Sequence, residues 1–476
     1  MAQWLGWLNV ALVVYIAQLA FIFVTEHRRP FEMRAWLFIA FVCPYIGIAA
    51  YLVLGQEFVR RRHFSRFKEA TFELAIERSS AVAKAAELGL KQQDQLEKLF
   101  AMLAGLAPFP ITRRNTTKVL TNGYGTYETI FQELERARHH IHLDYYTIRD
   151  DDIGKKFLRV LSRKARDGVE VRVVYDGIGS MKLSEAYIQE LRVAGVQTSC
   201  FLPPRFAFFD KRLNYRNHRK IVVVDGKVGF VGGINIGDEY LGKDAKLGFW
   251  RDTHLRLEGD AVYFLQELFL QDWAYAAKEQ LNGKKYMQAH GCEGEERVLV
   301  VSSKPGLHDQ KIKEVMLAAI MMAKTRVYVT TPYFIPDAGI LMGLRLAALT
   351  GIDVRLVIPK VADSRLVLRA TMSYIQEMLE AGVKVYRYEK GFIHAKVLIV
   401  DEVLASVGTA NVDMRSLYSN FELNAVMFDL DTIRRLESDF WDDLQHSHQM
   451  DFEAFQSRPL KQKLAESALR LLSPLL

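Results

Sequence analysis

The chain contains very few cysteines. Cys43, Cys200 and Cys292 are the three thiols in 476 residues, and they are widely spaced. So few thiols exclude a disulfide-stabilised secreted module and favour a reducing compartment. Half of the residues are apolar and a quarter are charged, which excludes a disordered chain and a collagen-like repeat. At roughly 100 to 200 residues per domain, the length allows two or three domains.

Charge is absent from two long stretches near the N terminus. Residues 4–24 and 35–55 each contain 21 residues without a charged side chain. A helix of about 20 apolar residues crosses the hydrocarbon core of a bilayer, so this pattern predicts a transmembrane hairpin of two spans. The first stretch lacks the basic start and small-residue cleavage site of a signal peptide. Two such runs in succession are also unusual for the core helices of a soluble domain.

Positive charge is concentrated beside these stretches. The chain has 63 Lys and Arg against 56 Asp and Glu, a net charge of +7, and residues 1–68 account for +5 with eight basic and three acidic residues. This excess therefore predicts attraction to an anionic lipid surface and no nucleic-acid partner. Three basic residues separate the stretches and five, from Arg60 to Lys68, follow the second. That asymmetry predicts a multi-pass protein of the cell membrane with a cytoplasmic body.

The rest of the chain contains an internal repeat. The segments Ile141–Tyr146 and Gly168–Val174 are matched, in the same order, by Val327–Tyr333 and Gly351–Val357. Short β-branched runs that alternate with helical segments predict βαβ units, and hence an α/β fold with a largely parallel sheet in each half. Two copies predict two tandem α/β lobes packed with pseudo-two-fold symmetry, which share a site at their interface. The predicted domains are a transmembrane hairpin with its basic flank (1–68), a helical connector (69–107), a first lobe (108–290) and a second lobe with C-terminal helices (294–476).

The repeat includes a motif that carries chemistry. Residues 218–225 and 394–401 both have the pattern H-x-K-x-x-x-x-D, and they are 176 positions apart. Chance does not explain two copies in register. The defining residues are His218, Lys220 and Asp225 in the first copy and His394, Lys396 and Asp401 in the second.

Glycine and asparagine follow each motif at matching positions. Gly232 and Asn235 precede Gly408 and Asn411 by the same 176 residues, and Gly233 follows the first glycine. Glycine permits a close approach of the backbone. We therefore expect two histidines, two lysines and two asparagines to line one site.

The spacing within the motif predicts which side chains share a face. Residues i and i+2 of a strand point to the same side, so His218 and Lys220 do. Asp225 follows His218 by seven residues, an odd offset of about 23 Å along an extended strand, so it faces the other way. Followed by Gly226, it is predicted to lie at a hairpin turn with a structural role, as is Asp401 in the second copy.

These side chains suit a phosphodiester. Lysine and asparagine can hold the non-bridging oxygens, while one neutral histidine attacks phosphorus and the other protonates the leaving oxygen. A nucleophilic histidine needs an orienting carboxylate, and the candidates are Glu422 and Asp252, which follow their motif histidines by 28 and 34 residues. Ser406 and Thr409 either pack in the core or contact the phosphate. Because no clustered metal ligands accompany the motifs, we expect no metal and no cofactor.

At these residues the chain resembles the phospholipase D superfamily, whose signature is the doubled H-x-K-x-x-x-x-D motif, over roughly residues 110–430. Further segments resemble its family of bacterial cardiolipin synthases, and this resemblance extends over nearly the whole chain. The segments are the N-terminal hairpin and residues 145–151, 217–226, 232–235, 331–337 and 473–476.

The resemblance implies transfer of a phosphatidyl group. In the implied reaction one histidine attacks the phosphorus of phosphatidylglycerol and expels glycerol, and a second phosphatidylglycerol then takes the phosphatidyl group to give cardiolipin. The family pattern assigns nucleophilic attack to His218, acid–base work to His394 and orientation of a histidine to Glu422. The implied partners are phosphatidylglycerol and the membrane bilayer.

Other functions remain open at this stage. A membrane-bound phospholipase D hydrolase, or a phosphatidyltransferase with another acceptor such as serine, needs the same catalytic residues. A nuclease with this motif gains no advantage from the apolar N-terminal stretches. A non-catalytic membrane scaffold predicts loss of at least one motif histidine or lysine, and all four are present.

Overall fold

The described residues near the N terminus are helical. The structure, a computed structural model, describes residues 2–26, 30–51, 94–204, 215–306 and 309–473. The first helices are α1 (Ala2–Glu26), α2 (Pro30–Val42) and α3 (Pro44–Ala50). Helix α2 ends where it does because Cys43 precedes Pro44, and a residue before proline disfavours the helical conformation; Cys43 accordingly has φ −131°.

This break corrects one expectation from the sequence. The second uncharged stretch is divided between two short helices, and no helix within the described ranges is long and apolar enough to cross a membrane. The predicted hairpin of two spans, and the cytoplasmic orientation deduced from it, are therefore not supported. The basic flank from Arg60 to Lys68 and the connector up to residue 93 lie outside the described residues, and the connector continues as α4 (Asp94–Leu106).

The first half of the body is built around one sheet. The strands of this half are β1 (Asn115–Thr121), β2 (His140–Tyr145), β3 (Glu170–Asp176), β4 (Gln197–Phe201), β5 (Arg216–Asn217), β6 (Lys220–Val224), β7 (Val228–Gly232), β8 (Phe249–Arg251) and β9 (Thr253–Gly259), and all but β5 and β8 belong to this sheet. Its helices are α5 (Asn122–Arg136), α6 (Asp152–Arg166), α7 (Glu185–Val193), α8 (Ala261–Ala277) and α9 (Gly283–Tyr286), with a 3₁₀ turn at Asp238–Leu241.

The second half repeats this arrangement. Its strands are β10 (Val298–Ser303), β11 (Arg326–Thr330), β12 (Phe334–Ile335), β13 (Asp353–Pro359), β14 (Lys384–Tyr388), β15 (Gly391–Ile393), β16 (Val397–Val400), β17 (Leu404–Gly408), β18 (Val412–Asp413), β19 (Asn420–Met427) and β20 (Ser447–Gln449). Its helices are α10 (Lys311–Met322), α11 (Ala338–Leu349), α12 (Arg365–Glu380), α13 (Met414–Tyr418), α14 (Leu430–Gln445), α15 (Phe452–Gln456) and α16 (Leu460–Leu472).

The two main sheets have equivalent strand orders. The first is β1-β9-β7-β6-β2-β3-β4, and the second is β10-β19-β17-β16-β11-β13-β14-β20. The expectation of largely parallel sheets is wrong, because only β2-β3-β4 and β11-β13-β14 run parallel. Each motif strand returns directly through a hairpin, and a hairpin connects antiparallel strands. Only the segments with crossover helices have the predicted βαβ form.

A central helix joins the two halves. The side chains of α8 are buried along most of the helix, and this helix contacts strands of the first sheet and β10 of the second. Phe264 and Phe269 of α8 belong to a core that also contains Val300, Val407 and Leu423 of the second half. This apolar contact holds the two sheets together across the interface where the motifs lie.

Two short strand pairs also cross between the halves. Strand β5, directly before the first motif, runs parallel to the start of β19, and the His218 N–H donates to the carbonyl of Phe421 at 3.0 Å. Strand β15, directly before the second motif, runs parallel to β8, and the His394 N–H donates to the carbonyl of Arg251 at 2.7 Å. Each motif histidine is thus held by backbone of the opposite half.

Candidate active site

The crossed strand pairs bring each histidine to a carboxylate of the other half. Glu422 directly follows Phe421, and both of its carboxylate oxygens lie 3.0 Å from His218 Nδ1. Asp252 directly follows Arg251, and its Oδ2 lies 2.7 Å from His394 Nδ1. Each carboxylate therefore accepts the Nδ1 proton of the opposite motif, which leaves the lone pair of a neutral imidazole on Nε2.

The register of the sheets makes the two carboxylates equivalent. Gly232 pairs with His254 on β9, two residues after Asp252. Gly408 pairs with Asn424 on β19, two residues after Glu422. The six-residue difference in sequence spacing therefore comes from the longer connection before β8 in the first half.

The carboxylates are buried and remain ionised. Burial raises the pKa of Glu422, but His218 and Lys220 outweigh that effect and lower the pKa to about 2. Burial likewise raises the pKa of Asp252, and His394 with Lys396 brings it below its usual value. Both carboxylates are thus available at neutral pH to orient an imidazole and to stabilise positive charge on it.

Both histidines are neutral in the free site. Burial lowers the pKa of His218 to about 4, although Glu422 opposes the shift. Burial and the neighbouring Lys396 lower the pKa of His394 to about 4. The two sites differ at Nε2: the His394 Nε2 lies 2.9 Å from Lys396 Nζ, whereas the His218 Nε2 has no hydrogen bond among the described residues.

The two motif lysines are buried beside their histidines. Lys220 Nζ donates to the His218 carbonyl at 2.7 Å, and Lys396 Nζ donates to the His394 carbonyl at 2.6 Å. Burial lowers the pKa of Lys220 to about 7 and that of Lys396 to about 8, and the Lys396 ammonium contributes to the lower pKa of Lys220. Two buried cations that act on each other electrostatically favour binding of an anion at this site.

Three residues that the sequence reasoning missed surround the histidines. Tyr146 meets the His218 ring edge-on with centroids 5.0 Å apart, and Lys220 Nζ lies 5.4 Å from the Tyr146 centroid. Trp250 packs 5.1 Å from the His394 ring and donates to Asp252 Oδ2 at 3.3 Å. Asn420 donates to Glu422 Oε1 at 3.1 Å. Trp250 and Asn420 each lie two residues before a candidate carboxylate, and this matching position could have identified them from the sequence.

The two asparagines make hydrogen bonds within the protein. Asn235 accepts the Thr147 N–H at 3.1 Å and donates to the Tyr240 hydroxyl at 2.8 Å. Asn411 donates to Asp413 Oδ2 at 2.9 Å, while its buried Oδ1 has no partner within the described ranges. Both asparagines are therefore placed to hold loops around the site, and direct contact with a phosphate stays a prediction.

The candidate phosphate ligands Ser406 and Thr409 are buried away from solvent. Thr409 Oγ1 donates to Glu422 Oε2 at 2.5 Å, and it accepts the Leu423 N–H at 2.9 Å. Ser406 Oγ accepts from Asn424 at 3.1 Å. Because both hydroxyls already have buried partners, this geometry does not support phosphate contact and gives Thr409 the role of holding Glu422.

The motif aspartates lie at the far end of their strands. Asp225 accepts the backbone N–H groups of Arg138, His139 and His140 at 2.8–2.9 Å. Asp401 accepts those of Lys324, Thr325 and Arg326 at 2.8–2.9 Å. Each therefore anchors its turn to the start of the neighbouring central strand, and its purely structural role stays a prediction.

The glycines admit side chains of the neighbouring strand. A Cβ at Gly233 would lie 2.1 Å from Asp252 Oδ1, and one at Gly232 would lie 2.5 Å from the His254 ring. A Cβ at Gly408 would lie 2.2 Å from Asn424 Oδ1. Only glycine allows these strands to bring their side chains so close. Across the described part of the chain, no group of three or more His, Cys, Asp or Glu side chains could hold a metal ion.

Known proteins share this organisation. A family model described as "Cardiolipin synthase, PLD-like domain" matches residues 130–273 and 316–444. A cardiolipin synthase of Geobacillus kaustophilus is 46% identical over 479 residues, which cover 99% of this chain and 94% of that protein. Cardiolipin synthase 2 of Bacillus anthracis is 47% identical over 453 residues, which cover 95% of this chain and 88% of that protein.

Among solved structures, the phosphatidylserine synthase of Haemophilus influenzae has a TM-score of 0.62 at 13% sequence identity, covering 80% of this chain and all of that one. That likeness supports the fold alone. The family match covers more than half of the chain, and the relatives match it almost from end to end. The chain therefore belongs to the cardiolipin synthase family of phospholipase D-like proteins.

Proposed function

We propose that this protein joins two phosphatidylglycerol molecules into cardiolipin and releases glycerol. The observation that carries the proposal is the pair of histidines, each hydrogen-bonded to a carboxylate of the opposite half and flanked by a buried lysine. Family membership narrows the phosphodiester chemistry of this site to phosphatidyl transfer. The proposal includes all eight residues with predicted catalytic roles, and Asn235 and Asn411 among them hold loops around the site. The other six are His218, Lys220, Asp252, His394, Lys396 and Glu422.

In the first step, His218 Nε2 attacks the phosphorus of one phosphatidylglycerol. A P–N bond forms, and the bond from phosphorus to the oxygen of the headgroup glycerol breaks. That oxygen takes a proton from His394 and leaves as glycerol. The free Nε2 of His218 and the Nδ1 bond to Glu422 support this role, because the carboxylate stabilises the imidazolium that develops.

His394 must carry a proton to act as the acid. The Lys396 ammonium, 2.9 Å from the His394 Nε2, can supply it, since burial has already lowered the pKa of this lysine to about 8. A bound phosphodiester anion raises the pKa of His394 and so favours the transfer. Lys220 and Lys396 then stabilise the charge that builds up on the non-bridging oxygens.

In the second step, His394 removes a proton from the terminal hydroxyl of a second phosphatidylglycerol. That oxygen attacks phosphorus, the P–N bond breaks, and His218 returns to its neutral form. Water competes with this alcohol, so the site must receive lipid preferentially.

The protein meets its lipid at a membrane surface in this proposal. Large apolar side chains of α1 are exposed, with Trp4 77% and Trp7 73% accessible, and more follow along the same helix. Exposed tryptophans prefer the interface between headgroups and hydrocarbon. We expect the purified protein to bind vesicles that contain phosphatidylglycerol, and to show no comparable affinity for nucleic acid.

The test is to incubate the detergent-solubilised protein with phosphatidylglycerol alone and quantify lipids and glycerol. Equimolar cardiolipin and glycerol support the proposal, whereas phosphatidic acid without cardiolipin indicates a membrane-bound phospholipase D hydrolase. Phosphatidylserine formed only on addition of serine indicates another phosphatidyltransferase. His218→Ala and His394→Ala should abolish activity, and His448→Ala, at an exposed position of β20, should retain it. Activity should also survive EDTA.

A further inference from the structure

The proposed reaction needs a place for a second phosphate. Each phosphatidylglycerol carries one phosphodiester, and the donor phosphate occupies the space between the motif histidines and lysines. The acceptor attacks through the end of its glycerol headgroup, so its own phosphate lies three carbon atoms away from the reacting oxygen. A cation near His218, outside the donor site, would complement the charge of this second phosphate.

Most arginines around the site already have anionic partners. Arg219 is buried and pairs with Asp272 at 2.6 Å, and Arg251 pairs with Asp443 at 2.7 Å. Arg149 pairs with Glu239 at 3.3 Å. These three charges are compensated within the protein, so none of them is well suited to a lipid phosphate.

Arg415 differs from these arginines. Its side chain is partly exposed, and its guanidinium has no hydrogen bond or ion pair among the described residues. It lies on α13, the short helix that connects Asn411 and Asp413 to the start of β19. Asp413 Oδ1 caps that helix by accepting the Ser416 N–H at 2.6 Å, which fixes the start of the helix directly before β19.

Arg415 lies on the His218 side of the site. The Ser419 N–H donates to the Arg415 carbonyl, and the next residue, Asn420, begins strand β19. Asn420 pairs with Arg216, which lies two residues before His218. The ring of Tyr146 contacts His218, and burial raises the pKa of Tyr146 while the nearby charge of Arg415 opposes that shift.

Tyr146 supplies a second polar group at the same place. Its hydroxyl has no hydrogen bond within the described ranges, and its ring is only partly buried between His218 and Lys220. Neither this guanidinium nor this phenol hydroxyl has a partner in the part of the chain that the structure describes. Together, at one edge of a site that binds anions, they form a suitable pair of donors for a phosphate oxygen.

We propose that Arg415, with the Tyr146 hydroxyl, binds the phosphate of the acceptor phospholipid and so selects a phosphatidylglycerol over an uncharged alcohol or water. The inference rests on the proposed function. It makes Arg415 a specificity-determining residue for the second step, in which the acceptor hydroxyl displaces His218 from phosphorus.

The test compares two acceptors that use the same phosphatidyl-enzyme. Cardiolipin formation uses an acceptor with a phosphate, and exchange of radiolabelled glycerol into phosphatidylglycerol uses one without. For Arg415→Gln we expect the ratio of cardiolipin formation to glycerol exchange to fall by about tenfold to a hundredfold, since a charge-assisted hydrogen bond is lost. The loss should appear mainly as a higher KM for phosphatidylglycerol in cardiolipin formation.

Controls separate this inference from a general defect. Arg415→Lys keeps the charge and should recover part of the ratio, Tyr146→Phe should lower it less than Arg415→Gln does, and Arg434→Gln, at an exposed site on α14, should leave it at the wild-type value. Parallel loss or parallel retention of both activities in Arg415→Gln overturns the inference, and glycerol exchange in the same sample reports whether the variant is folded. Wild-type protein that exchanges glycerol but makes no cardiolipin would contradict the proposed function itself.

Discussion

His394 Nδ1 lies 2.7 Å from Asp252 Oδ2, although the two residues are 142 positions apart and belong to different halves of the protein. Glu422 and His218 show the reciprocal relationship across 204 positions. Each motif histidine is therefore paired with a carboxylate of the opposite half and not of its own. The backbone explains this crossed pairing. Each histidine follows a short strand, and that strand pairs with the residues directly before the carboxylate of the other half.

Replacing one of these carboxylates tests whether each half supplies the carboxylate that the histidine of the other half needs. We expect Asp252→Asn to lower kcat by about 10²- to 10⁴-fold while the protein stays folded, because the amide cannot hold His394 in the correct tautomer or stabilise its protonated form. The measurements are cardiolipin formation and thermal unfolding. Asp442→Asn, on the exposed face of α14, serves as the matched control. An active Asp252→Asn variant would contradict the proposed role.

The pH dependence of the reaction should follow the lysines and the histidines. Below about pH 4 the His218 lone pair is lost to protonation, so kcat/KM should fall as the pH decreases through that value. Above about pH 7 to 8, Lys220 and Lys396 lose their charge, so kcat/KM should fall again as the pH increases. Bound phosphate raises these pKa values, which should move the alkaline decline of kcat to higher pH than that of kcat/KM. A profile that stays flat from pH 6 to pH 10 would refute the proposed role of the lysines.

The motif aspartates should matter for stability and little for catalysis. Asp225→Ala removes the acceptor of three backbone N–H groups at the start of β2, at a residue with φ 54°. We expect the free energy of unfolding to decrease by about 1–3 kcal/mol, the cost of leaving such groups unpaired. Denaturant unfolding gives this value, and kcat per folded molecule should remain close to wild type. A variant of wild-type stability without activity would show that Asp225 serves the chemistry, and Asp401→Ala provides the same comparison in the second half.

Gly233 offers a way to displace Asp252 without replacing it. The new methyl group of Gly233→Ala would lie 2.1 Å from Asp252 Oδ1, so the carboxylate must move away from His394. A displacement of about 1 Å can lower a rate by about 10²-fold, and we expect a decrease of this size in kcat. Gly125→Ala is the control, because a Cβ there meets nothing within 4 Å. Equal activity of the two variants would argue against a role for the exact position of Asp252.

Sequence reasoning identified the doubled motif, the shared face of His218 and Lys220, and both carboxylates, because these depend on local spacing and on repetition. It did not predict which carboxylate serves which histidine, since that depends on β8 pairing with β15 and β5 pairing with β19, contacts between residues far apart in the chain. Local pattern also did not reveal that Thr409 has a buried partner in Glu422.

The predicted sheet direction failed for a related reason. The βαβ pattern is present in only part of each half, and the remaining strands are joined by hairpins that the periodicity of apolar residues does not distinguish from parallel neighbours. The uncharged stretch 35–55 satisfied the length expected of a spanning helix, yet the effect of Pro44 on the preceding residue divides it.

His254 should make the protein less stable as the pH falls. Its ring is fully buried beside Gly232, and neither nitrogen has a hydrogen bond among the described residues, so burial lowers its pKa to about 3 in spite of the nearby Asp252. Between pH 6.5 and pH 3 the unfolded chain therefore binds a proton here that the folded chain does not. Stability should decrease with falling pH in this window, with a contribution of about 1.4 kcal/mol per pH unit from this one proton.

The equivalent residue of the second half suggests the variant. Asn424, which pairs with Gly408 as His254 pairs with Gly232, makes hydrogen bonds to Ser406 and to the Ala410 N–H. His254→Asn removes the titrating group, so the slope of unfolding free energy against pH should decrease by close to one proton between pH 6 and pH 4.5. Urea unfolding at a series of pH values measures the slope, and His448→Asn, at an exposed histidine, should leave it as in wild type. An unchanged slope in His254→Asn would mean that this imidazole binds a proton in the folded protein as readily as in the unfolded chain.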